Sequence, residues 1–129
     1  YLVASTVEGI LAQRLVRRLC PHCKLPTPVE KLEIPRDFPQ PLPETVFEPV
    51  GCRECRDTGY SGRIGVFELL RTDPTIQRLC SESRSSMEIR EYAMKAGMTT
   101  LRSSGWEQVL AGVTSIEEVL RITRGDIVA

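Results

Sequence analysis

Leu19-Cys20-Pro21-His22-Cys23-Lys24 is answered, across residues 24–51, by Gly51-Cys52-Arg53-Glu54-Cys55, and these two Cys-x-x-Cys pairs decide how the rest of the 129-residue chain is read. Each such turn delivers two thiolates to one edge of a tetrahedron, and two turns close it around a single Zn²⁺ at about 2.3 Å. Four thiolates leave no place for water or substrate, so the expected metal is structural. Cys20, Cys23, Cys52 and Cys55 are the candidate ligands, and no catalytic or cofactor-binding residue stands beside them. A rubredoxin-type iron site uses the same four ligands and stays open. Disulfides would need an oxidising compartment and would leave one of five cysteines over. A thioredoxin-like redox pair would leave the second Cys-x-x-Cys unexplained. His22, between two committed ligands, is expected to be exposed. Cys80, on the inward stripe of a later helix, is expected to be a buried free thiol.

Around these pairs the chain falls into three zones. Eight of its nine prolines lie between Pro21 and Pro49, and only Pro74 lies beyond. Proline fixes φ and removes a backbone donor, so this middle zone is expected to be irregular and to need the metal as its staple. Before it, Ser5-Thr6-Val7-Glu8 has the form of a capping box, and Val7, Ile10, Leu11, Leu15 and Leu19 follow helical spacing. Periodicity alone therefore carries one helix from Thr6 to the first cysteine. After it, Ile64, Val66, Phe67, Leu69 and Leu70 read as a strand buried on both faces.

Short helices follow. Asp73-Pro74 supplies a cap and an N1 proline, with Ile76, Leu79 and Cys80 facing inward. Ser85 to Glu88 is a second capping box, with Ile89, Tyr92, Ala93 and Ala96 as its stripe and Gly97 as its stop. Thr100 caps a third helix with Leu101, Trp106, Val109 and Leu110 inward, and Thr114 to Glu117 is a third box before Ile116, Val119 and Leu120. The tail reads as a small helical bundle with Trp106 as a core anchor.

Seventeen basic residues balance seventeen acidic ones, and Arg14, Arg17 and Arg18 form the one local basic cluster, expected to be a solvated face. Between the cysteine pairs, Lys24, Lys31 and Arg36 stand against Glu30, Glu33, Asp37, Glu44 and Glu48. That net-acidic segment disfavours phosphate binding, so no nucleic-acid partner is expected, and a free-standing zinc-ribbon module that mediates nucleic-acid or protein binding is the alternative reading. No signal peptide and no apolar run of about 18 residues occurs, and there is no initiator Met, so the expectation is a soluble piece of something longer.

Three runs together resemble the C-terminal third of the secretion ATPases, the hexameric motors of bacterial type II secretion and type IV pilus assembly. They are Leu11-Ala-Gln-Arg-Leu-Val-Arg-Arg-Leu-Cys20-Pro-His-Cys23-Lys24, Gly51-Cys-Arg-Glu-Cys55 through Gly59-Tyr-Ser-Gly-Arg-Ile-Gly-Val-Phe-Glu-Leu-Leu70, and Gly97-Met-Thr-Thr-Leu-Arg102 with Gly112-Val-Thr-Ser-Ile-Glu-Glu-Val-Leu-Arg-Ile-Thr123. The resemblance implies an α+β fragment: the end of a RecA-like ATPase core at residues 1–19, a four-cysteine zinc module at 20–61 inserted in its last hairpin, and a returning strand with a helical subdomain at 62–129. It stops the first helix near Ala12 and places a strand at Gln13 to Arg18, paired with one near Arg63 to Leu70. It also implies ATP and Mg²⁺ in the intact parent, a homo-hexamer, inner-membrane platform proteins as partners and a place at the cytoplasmic face of that membrane. Family members that retract pili lack the four cysteines. No Gly-x-x-x-x-Gly-Lys-Ser/Thr phosphate loop occurs in these 129 residues, so the fragment by itself is expected to be inactive.

Overall fold

In the computed structural model, residues 9–123 are described, and the expected capping box at Ser5 to Glu8 lies outside them. The architecture is mixed: strands β1 (Gly9–Leu19), β2 (Leu25–Pro28), β3 (Thr45–Glu48) and β4 (Tyr60–Arg71), then helices α1 (Pro74–Ser81), α2 (Ser86–Lys95), α3 (Leu101–Leu110) and α4 (Ile116–Ile122). β1 pairs with β4 and β2 with β3, in two two-stranded sheets. A Cβ on Gly9 would lie 3.3 Å from the Leu70 carbonyl, whereas the Cys20 amide donates to Gly59 O at 2.9 Å, so β1 and β4 run antiparallel.

Gly9 to Ala12 are therefore strand, which corrects the expected helix there. The helical spacing of Ile10, Leu11 and Leu15 lost to the backbone ladder with β4, whose hydrogen bonds a helix would have left unmade. β4 is not buried on both faces either: Phe67 and Leu69 are 45% and 42% exposed, while Val66 is fully buried. Among the described residues β1 is its one partner strand, so the ribbon offers no central-strand environment there.

The chain divides into two compact units. The first joins the described residues up to Gln13 to Phe67–Thr100, and the second joins Arg14–Val66 to the described residues from Leu101. In the first, the Asp73 carboxylate caps α1 by accepting from the Ile76 amide at 2.8 Å, and its other oxygen accepts from the Tyr92 hydroxyl at 2.8 Å. That one side chain ties α1 to α2. Ser85 caps α2 through the Glu88 amide at 3.2 Å, and Arg90 grips Glu68 of β4 with two 3.0 Å bonds. Cys80 is exposed on α1 and Ala96 is exposed just past α2, so both depart from their expected inward placement. Eight and ten residues give each helix one narrow contact face, which Ile76 and Ala93 fill.

The second unit has its own core, made by Phe38, Val46, Trp106, Val109, Ile116 and Val119. Trp106 is the anchor expected of it, 1% exposed, tilted against Phe38 at 5.2 Å between ring centroids, with its indole N–H donating to Asp37 at 2.9 Å. Arg102 adds 2.6 and 3.0 Å bonds to the same carboxylate. The proline-rich zone is thus less irregular than its composition suggests. Pro26 and Pro28 sit in β2, where a two-stranded ribbon always leaves an outer edge for a residue with no N–H. Phe38 and Val46 give the zone apolar anchors of its own.

The expected single helical bundle is also corrected, because α1 and α2 belong to one unit while α3 and α4 pack beside the cysteine-bearing segment in the other. Gly105 lets α3 and α4 come close: a Cβ there would meet Val119 Cγ1 at 2.7 Å. Leu110, expected inward, is 48% exposed at the last turn of α3.

Candidate metal centre

The four cysteines of the two pairs come together at the open end of the β1–β4 ribbon, with their sulfurs all within 4.8 Å of one another. Cys20 directly follows β1, and Cys52 and Cys55 lie in the turns that lead into β4. Cys20 to Cys52 is 3.7 Å, Cys52 to Cys55 3.7 Å and Cys23 to Cys55 3.8 Å. A tetrahedron with 2.3 Å metal–sulfur bonds has edges of about 3.8 Å, so the spacing fits a Zn²⁺-sized tetrathiolate. Cys20 and Cys55 are buried and Cys23 and Cys52 partly so. His22 is exposed beside them, and Cys80 lies elsewhere, on α1.

Each knuckle is shaped by its backbone. After Cys20, the Lys24 amide donates to Cys20 O at 3.0 Å. After Cys52, the Asp57 amide donates to Cys52 O at 2.8 Å, with Arg56 and Asp57 in left-handed conformations at φ 56° and 61°. Amides then point at the sulfurs: Gly51 at Cys23 (3.3 Å), Cys52 and Gly59 at Cys55 (both 3.2 Å). Gly59 is required there, since φ is +84° and a Cβ would fall 2.5 Å from Pro49 Cβ.

The electrostatics favour a cation. Burial pushes the Cys55 thiol up, yet the amides of Cys52 and Gly59 and the neighbouring thiols bring it down to about 6. For Cys52 the backbone at Cys55 pulls the other way, but desolvation and the three other thiols leave it raised to about 11. Cys55 ionises readily and Cys52 then resists, which is how like charges at one site behave. A divalent cation removes that conflict by neutralising all four.

Sequence reasoning missed what holds the first knuckle in place. Leu19 donates to Val113 O at 2.8 Å, Thr114 Oγ1 to Arg17 O at 2.8 Å, and Lys24 Nζ to Gly112 O at 2.9 Å. Lys24 also stands 4.4 Å over the Phe47 ring. The third capping box is consequently displaced by one residue. Thr114 spends its hydroxyl on the strand, and Ser115 caps α4 by accepting from the Glu118 amide at 3.2 Å. Arg17 is no plain solvated charge: it pairs with the buried Glu118 and lies 4.2 Å over the Tyr60 ring. A serine three residues before a glutamate that falls on a helix's inner face was the available signal.

A two-stranded ribbon whose free ends carry four clustered cysteines, followed by short capped helices, defines a class, and a family model names it. The model described as Type II/IV secretion system protein matches residues 1–121, and the chain belongs to that family. It is 43% identical over 125 residues to the type IV pilus assembly ATPase TfpB of Acinetobacter baylyi, covering 95% of this chain and 21% of the relative. With the type IV pilus assembly ATPase PilB of Pseudomonas aeruginosa it shares 41% over 130 residues, 95% of this chain and 22% of the other. With the type II secretion system ATPase E of Vibrio cholerae it shares 38% over 125 residues, 96% and 25%. The chain thus spans a quarter or less of the length of these relatives. Among the described residues no helix is long and apolar enough to cross a membrane.

Proposed function

We propose that this chain is the zinc-bearing C-terminal segment of an ATPase that powers type II secretion or type IV pilus assembly. In this reading residues 1–19 close a RecA-like core, residues 20–61 form a module held by one structural Zn²⁺ on Cys20, Cys23, Cys52 and Cys55, and residues 62–129 carry the returning strand and the helical end. ATP and Mg²⁺ belong to the intact hexameric parent, which works at the cytoplasmic face of the inner membrane against platform proteins. Leu25, Leu42 and Val50, exposed by 56%, 41% and 60%, support the cysteine module as the docking face for those proteins. The parent's motor role rests on the names of the relatives.

The observation that carries the metal reading is the sulfur spacing of 3.7 to 3.8 Å. Metal analysis of the purified 129-residue chain is expected to give one zinc per chain, and Cys52→Ser is expected to lose it. Stoichiometric zinc in Cys52→Ser would exclude these ligands, and a visible charge-transfer band with bound iron would replace zinc by a rubredoxin-type site.

A further inference from the structure

We propose that Glu118 is a positioning residue for the metal centre, acting through Arg17 to hold the end of β1 that delivers Cys20. The proposal rests on the four cysteines being a metal site, as argued above. Glu118 has a side chain only 1% exposed, an unusual place for a carboxylate, and it is fully matched by donors. Oε2 accepts from the Arg17 backbone amide at 2.8 Å and from Arg121 Nη2 at 3.0 Å. Oε1 accepts from Arg17 Nε at 3.1 Å and Nη2 at 3.0 Å, and from Arg121 Nε at 2.7 Å. One helix side chain thereby grips both the backbone and the side chain of one strand residue.

The grip falls where the metal centre needs it. The second pair is shaped locally, by amides at 3.2 Å from Cys55 and by the Gly59–Pro49 contact. The first pair has fewer such contacts: the Lys24 amide closes its turn on Cys20 O at 3.0 Å, and one amide, from Gly51, reaches a sulfur, that of Cys23, at 3.3 Å. Further contacts reach it from far along the chain. Thr114 holds Arg17 O, Val113 O holds the Leu19 amide, and Gly112 O holds Lys24 beyond the knuckle. Residues 112–118 thus clasp the chain on both sides of Cys20 and Cys23, and Glu118 is the charged end of the clasp. Tyr60, at the start of β4, completes it, with its hydroxyl 2.8 Å from Ser115 Oγ and its ring beneath Arg17. Tetrathiolate affinity depends on all four sulfurs being held at tetrahedral spacing before the metal arrives, so loosening one knuckle weakens binding without removing a ligand.

The test compares metal affinity in the 129-residue chain, by competition with a chromogenic chelator, together with the visible d–d spectrum of the Co²⁺-loaded protein. Glu118→Gln, which keeps the shape, and Thr114→Val, which removes only one strand contact, are each expected to weaken affinity on the order of tenfold and to alter the Co²⁺ bands. Trp106→Phe serves as control, because it lowers the stability of the same unit without touching the clasp, and its affinity and spectrum are expected to match wild type. Should Glu118→Gln fail to fold by circular dichroism, Thr114→Val decides. Wild-type affinity and bands in the clasp variants, or equal losses in Trp106→Phe, would overturn the positioning role while leaving the metal reading intact. A wild-type chain that binds no metal would instead overturn the reading beneath it.

Discussion

Glu118 shows at the scale of one residue how burial and pairing compete. Burial alone would raise its pKa, but hydrogen bonds from Arg121 and Arg17 and from the Arg17 amide bring it down to about 2. An unfolded glutamate titrates near about 4.3, so the folded state holds this proton more weakly than the unfolded one. The stability it contributes is complete above that unfolded value and is lost as pH falls toward 2. Acid unfolding followed by Trp106 fluorescence should therefore steepen below about pH 4.3, and Glu118→Gln should flatten that part of the curve. An identical acid limb in the variant would show that other carboxylates govern it. The residue was hard to find in the sequence because two overlapping boxes, Thr114 to Glu117 and Ser115 to Glu118, look equally good. Only the Arg17 carbonyl, far away in sequence, takes the Thr114 hydroxyl and decides between them. The cysteines were legible for the opposite reason: two ligands per turn is a local geometry that spacing alone reveals.

Element by element, the capped helices were the readable part. Asp73-Pro74 and Ser85 signal their own starts through side chains that meet amides three residues on. The first strand was not readable in that way. Gly9 to Ala12 carry helical spacing and become strand because β4 offers a ladder, a partner that lies about sixty residues on. Nor does a stripe announce which neighbour it will meet. α3 was expected to join the other helices, yet Trp106 and Val109 pack with Phe38 and Val46 from the proline-rich zone. Chelation should consequently spread into α3 and α4. Amide exchange of residues 101–122 is expected to accelerate when the metal is removed, whereas α1 and α2 keep their protection. Equal acceleration in all four helices would contradict the division into two units.

Across the molecule, each unit is discontinuous in sequence, and β1 and β4 are the two stretches that run through both. The cysteine-bearing segment is for that reason no removable appendage. Cutting out residues 24–51 would take Phe38 and Val46 from a core shared with Trp106, so docking is better probed by surface substitution. On the docking proposal, Leu42→Glu with Val50→Glu in the intact parent should abolish capture of platform proteins while leaving metal content unchanged, and undiminished capture would remove docking from the module.

The late position of the clasp also sets an order of events on the ribosome. All four cysteines have been synthesised by residue 55, but the residues that steady the first pair, 112–118, come near the end of this segment. The β1–β4 ribbon, α1 and α2 leave the ribosome before residues 112–118 can reach the first pair. During that interval the turn of Cys20 and Cys23 lacks the contacts that steady it in the finished segment.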